Sequence, residues 1–149
     1  MNQYLKAIMI VGVSFGLLAA CAAPVTQIPG GAEGQTLNAN DPQVTNSYAD
    51  IPIPLDDVLV VSESLLLNTG EQWIGRAVFR SKLNTTQAFD YFHQHMSTYG
   101  WISITSVQSE VSILSFEKAN RVATVQIKKR TVSGTEIKVT VTPREVANN

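Results

Sequence analysis

From Trp101 to Pro143 the chain alternates apolar and polar residues with a period of two, and this pattern constrains the fold more than any other feature. Ile102 and Ile104 alternate with Ser103 and Thr105, and a further run extends from Val111 to Glu117. Ala123, Val125 and Ile127 alternate with Thr124, Gln126 and Lys128; Ile137, Val139 and Val141 alternate with Glu136, Lys138 and Thr140. Turn residues separate the runs at Gln108 to Glu110, Lys118 to Asn120 and Ser133 to Gly134. Successive side chains of a strand point to opposite faces, so the pattern predicts antiparallel strands with one face buried and one in water. Pro143 ends the last run, and the tail 144–149 is expected to fray.

The stretch just before this region has a helical period instead. Ala88, Phe89, Phe92, Met96 and Tyr99 recur at steps of three and four between Asn84 and Tyr99. Asn84 with Gln87 forms a capping-box pattern at the start, and Gly100 supplies a left-handed stop. Burying each large side chain of this stripe stabilises by about 1.5 to 3 kcal/mol, so the helix is expected to dock on the sheet. Upstream, Ile51-Pro52-Ile53-Pro54 forms an extended lead-in. A strand over Val58 to Leu67, a hairpin at Asn68-Thr69-Gly70 and a second strand over Gln72 to Ser81 follow. The second strand directs Trp73, Gly75, Ala77 and Phe79 to the core, leaving Ile74, Arg76, Val78 and Arg80 on the other face. The expected fold is α+β: an antiparallel β-sheet with one packed α-helix, in the order β-β-α-β-β-β-β, a two-layer sandwich over 51–143.

The amino-terminal third has a different character. Lys6 precedes an apolar run from Ala7 to Leu17, closed by Leu18-Ala19-Ala20-Cys21. These are the parts of a secretory signal peptide, expected over 1–20. Ala7 to Ala20 would span about 21 Å as a helix, short of the roughly 30 Å of a bilayer's hydrocarbon, which argues against an uncleaved anchor. Because the residue after the cut is the chain's one cysteine, the arrangement resembles the lipobox of bacterial lipoproteins. That resemblance implies a lipidated Cys21, its thiol carrying a diacylglycerol and its new amino terminus acylated. Ala22, where inner-membrane lipoproteins tend to carry Asp, implies an outer-membrane location facing the periplasm. From 21 to 50 the chain is rich in Pro, Gly, Asn, Gln and Thr with few large apolar residues, so a disordered linker is expected. Val44 to Tyr48 is the one part of it suited to packing on the domain as an ordered arm.

Few residues suggest chemistry. Without a second cysteine the chain has no disulfide and no thiolate metal cluster, and its net charge of −1 gives no footprint for nucleic acid. His93 and His95 sit two apart, about 200° around a helix, and so cannot readily share a metal; none is expected. Asp56-Asp57 reads as a solvated turn, since no calcium-loop pattern surrounds it. Lys128-Lys129-Arg130 is the one basic run. With Lys138 opposite it across the last hairpin, and Arg76 and Arg80 nearby, it is a candidate contact for an anionic surface or a solubilising strand end. Trp101, just after the helix stop, is expected to lock helix to sheet.

The Ile-Pro-Ile-Pro opening, Gly75-Arg-Ala-Val-Phe79, the helix Phe89-x-x-Phe92-x-x-x-Met96-x-x-x-Gly100-Trp101 and the strand Arg121-Val-Ala-Thr-Val-Gln-Ile127 together resemble a group of small proteobacterial lipoproteins of uncharacterised function. The resemblance covers Ile51 to Pro143 and carries over packing positions, not catalytic ones. The expectation is a non-enzymatic envelope lipoprotein without a cofactor, anchored in the bilayer through Cys21 and serving as a binding or accessory module for another envelope protein or a cell-wall component. The alternative is a carrier or sensor holding an apolar ligand against Phe89, Phe92 and Met96, between helix and sheet.

Overall fold

The computed structural model describes residues 35–144; the expected leader and lipobox, and the last five residues, lie outside them. Among the described residues the protein is mostly antiparallel β-sheet with one long helix packed on it. Eight strands form one antiparallel sheet: β1 (Thr36–Asn38), β2 (Val58–Val60), β3 (Leu65–Leu66), β4 (Gly75–Ser81), β5 (Ile102–Val107), β6 (Val111–Lys118), β7 (Arg121–Lys129) and β8 (Thr135–Pro143). Their order is β1-β2-β4-β8-β7-β6-β5, with β3 also on β4. Helix α1 (Pro42–Ser47) follows β1, and helix α2 (Thr85–His95) lies against β6, β7 and β8.

The long strands form where the period of two placed them. Leu114 and Phe116 from β6, Ala123, Val125 and Ile127 from β7, and Ile137, Val139 and Val141 from β8 share the buried face with Trp73, Ala77 and Phe79. Helix α2 is closed at its start by the reciprocal bonds of a capping box: Gln87 N to Asn84 Oδ1 at 2.9 Å and Asn84 N to Gln87 Oε1 at 3.1 Å. It tightens into a 3-10 turn over Met96–Tyr99 and stops at Gly100, whose φ of 83° is left-handed. Ala88, Phe92 and Met96 are fully buried, Phe89 is half-buried, and Tyr99 is exposed, because the 3-10 turn rotates the end of the stripe off the core.

Four expectations need correction. Residues 36 to 50, assigned to a disordered linker, carry β1, α1 and part of the core, with Val44, Tyr48 and Asp50 buried. The sequence contains the reason: Asp41 caps α1, its Oδ1 accepting from Gln43 N at 2.8 Å, and Pro42 opens the first turn. Val58 to Leu67 is not one strand. A 3-10 turn at Val61–Glu63 breaks it, so β2 pairs with the end of β4 and β3 with its start. In the gap Ser64 Oγ accepts from Val78 N at 3.0 Å, replacing the missing ladder bond. The connection from β3 to β4 is longer than a three-residue hairpin, with a 3-10 turn at Gly70–Gln72 and Gly70 left-handed. Finally, Ile102 and Ile104 of β5 do not reach the core: β5 is the last strand of the sheet, Ile102 aligns with Glu117 on the outer face, and a register slip falls between Ser103 and Thr105.

Candidate functional site

The densest polar arrangement lies where α1 runs into the domain. Asp50 is 2 % exposed and Arg121 3 %. Arg121 Nη2 donates to Asp50 Oδ2 at 2.6 Å, Lys118 Nζ to the same oxygen at 3.3 Å, and Trp73 Nε1 to Oδ1 at 2.9 Å. Trp101 Nε1 donates to the Asp50 carbonyl at 2.7 Å, and Arg121 Nη1 to the Trp73 carbonyl at 3.2 Å. The guanidinium carbon also lies 5.2 Å from the centroid of a Trp101 ring. One carboxylate thus ties together the arm before the domain, both indoles and the β6-β7 hairpin. A buried ion pair is tolerated only when its remaining hydrogen bonds are satisfied, and here both carboxylate oxygens and both indoles are. The arrangement is a structural knot; it offers no unpaired group to a substrate.

Sequence reasoning placed Trp101 correctly but missed Asp50 and Arg121. A signal existed: Arg121 begins a strand at a position whose even spacing to Ala123, Val125 and Ile127 directs it inward. An inward arginine demands an acid, and the linker assignment hid Asp50.

Asp57 is the second departure. Asp56 is exposed as expected, but Asp57 is buried, and its Oδ2 has no hydrogen-bond partner. Its backbone holds a junction, the N–H donating to the Pro54 carbonyl at 3.0 Å and the carbonyl accepting from Ala39 N at 2.8 Å. Burial pushes the carboxyl up to about 6; a hydrogen bond with Ser81 works against the rise and the nearby Asp56 charge adds to it. It borders an open surface cavity of about 340 Å³ with Pro54, Leu55, Lys82, Leu83 and Tyr91.

The basic run sits at the tip of the β7-β8 hairpin, where Lys128, Lys129, Arg130 and Glu136 border one open cavity of about 310 Å³. Lys128 aligns with Glu136 and Lys129 with Thr135, so the two lysines point to opposite faces. Lys138 is not opposite the run: it aligns with Gln126 and with Val78, further along the sheet. Glu136 lies between Lys128 and Arg80 on the outer face. Arg76 is held by its own Nε bond to the Glu63 carbonyl at 3.0 Å. The histidines also separate. The His93 ring stacks on Phe89 at 6.0 Å; His95 stacks on Tyr91 at 4.4 Å with Nδ1 2.8 Å from the Tyr91 carbonyl oxygen.

Comparison with family models, with curated proteins and with solved structures found no match. The molecule's own geometry is therefore the basis for any functional reading.

Proposed function

We propose that the chain is a lipid-anchored protein of the bacterial cell envelope, acylated at Cys21 and held on the periplasmic side of the outer membrane. Its two-layer domain acts without catalysis, as a binding or accessory module for another envelope protein or a cell-wall component. The observation that carries the reading is the leader itself, with Lys6, the apolar run from Ala7 and Leu18-Ala19-Ala20-Cys21 in the order a lipobox requires. With β1 and α1 part of the domain, the tether shortens to Ala22 through Gly34, about 45 Å when taut. Such a length keeps the domain near the lipid surface while leaving it free to turn.

The non-catalytic reading is supported by the Asp50 knot, which spends its charges on one another. The carrier alternative needs free space between helix and sheet, and Phe92 and Met96 fill that space at full burial. Metabolic labelling with a palmitate analogue tests the anchor: the wild-type chain should take up label and Cys21→Ser should not. Equal labelling, or none in either, would remove the anchor. Crosslinking in intact cells with mass spectrometry of the captured species tests the accessory role, which fails if nothing but lipid is recovered.

A further inference from the structure

We infer that the free edge of β5 pairs with β5 of a second copy of this chain, joining two sheets into one across a two-fold axis. Strand β5 ends the sheet, all six of its residues are exposed, and Ile102-Ser103-Ile104-Thr105-Ser106-Val107 carries no charge and no proline. Natural edges are protected by charge, proline or shortness, and the opposite edge, β1, has only three residues. Beside the Val107 end of β5 the outer face of β6 adds exposed Val111 and Ile113, so an aliphatic surface continues inward from the open edge there.

The choice of a second copy over another partner comes from the strand's own symmetry. An axis perpendicular to the sheet between Ile104 and Thr105 sets Ile102 against Val107 of the second copy, Ser103 against Ser106, and Ile104 against Thr105. Such an axis leaves every residue on its own face, so each facing pair must already share a face within one copy. In a regular strand Ile102 and Val107, an odd number of residues apart, would lie on opposite faces. The register slip between Ser103 and Thr105 changes this. Ile102 aligns with Glu117 and Val107 with Ile113, both on the outer face, while Ser103 aligns with Phe116 and Ser106 with Leu114, both on the inner face. The irregularity that would otherwise blunt an edge makes the two outer pairs self-complementary in composition and in facing, and places its extra residue, Ile104, beside the axis. Absence of charge removes the repulsion that two copies of a charged edge would suffer. The pairing is closed, since the remaining edges of each copy are the short strands β1 and β3, of three and two residues.

The inference is independent of the anchor and is tested on full-length chains. Antiparallel partners lie about 4.5 to 5.5 Å apart at Cα, within disulfide range. Ile102→Cys and Val107→Cys chains mixed under mild oxidation should form a covalent dimer, at least tenfold more than either variant alone, because each new thiol faces the other variant's position and not its own. Both residues are more than half exposed, so the variants should fold. Cys21 is present in every sample and is thereby controlled. In sedimentation the wild-type protein should run as two copies and Ile104→Lys, with two ammonium groups beside the axis, as one. Equal crosslinking in all three samples, no crosslinking, or a single-copy mass for the wild type would overturn the pairing, as would capture of a different envelope protein on β5 by a chain that is itself monomeric.

Discussion

Replacing Asp50 with asparagine isolates the contribution of the buried charge with little change of shape. Asparagine retains an oxygen for Trp73 Nε1 and leaves the backbone carbonyl that accepts from Trp101 in place. It removes the negative charge 2.6 Å from an Arg121 nitrogen that has almost no access to water. Two unit charges about 4 Å apart interact by about 4 kcal/mol at an effective dielectric of 20. Breaking one side of a buried pair costs about 3 to 5 kcal/mol, since the other charge stays behind without compensation. Against a total stability of about 5 to 15 kcal/mol, Asp50→Asn should remove a large share. With a urea slope of about 2 kcal/mol/M the unfolding midpoint should fall by about 2 M. Arg121→Met should cost less, because Lys118 stays 3.3 Å from the carboxylate with its side chain 25 % exposed and able to follow it. The double variant should be less destabilised than the sum of the singles by about 2 kcal/mol or more, the coupling expected of groups in one network. Urea unfolding by tryptophan fluorescence suits the assay, since Trp73 and Trp101 both contact the cluster. A loss below about 1 kcal/mol for Asp50→Asn, or simple additivity in the double variant, would show that the cluster does not act as a coupled ion pair.

Asp57 supplies a pH dependence of definite sign. Its folded-state carboxyl is raised from 3.8 to about 6, so its stabilising contribution is full below 3.8 and is lost as pH rises through about 6. Asp57→Asn should therefore gain stability relative to wild type between pH 4 and 7, by up to about 3 kcal/mol; thermal melts across that range that show no narrowing of the difference toward pH 4 would refute it. Gly134 has φ of 71°, and a side-chain carbon there would collide with the Ser81 backbone oxygen. Gly134→Ala should destabilise by more than about 1 kcal/mol and shift amide resonances on both sides of the β4-β8 pair; a silent substitution would mean the hairpin is not seated on β4. Phe92→Ala empties the centre of the α2 contact and should cost about 3 to 5 kcal/mol by chemical denaturation.

The strands from β6 to β8 and the helix were legible because their signals are local. Alternation at 123 to 127 and at 137 to 141, and the Asn84 to Gln87 box, need nothing from the rest of the chain to be correct. Asp41-Pro42 was an equally local helix start, but the surrounding glycines and polar residues outweighed it. At Ile102 and Ile104 the strand was right and the inference of burial wrong, because Ile102 aligns with Glu117 on the outer face and the register slip after Ser103 breaks the period of two. The same holds for Lys128, whose true neighbour Glu136 follows from hairpin register rather than from distance along the chain.

By itself, then, the sequence determined the long strands β6 to β8 with their inward set, and helix α2 with its caps. Tertiary structure alone decided that Asp50 meets Arg121 across 71 positions, that Asp57 is enclosed, and that β5 is left at the edge. The division has a physical cause: propensity and periodicity act over a few neighbouring residues, whereas burial and charge pairing depend on which distant segment occupies the adjoining space.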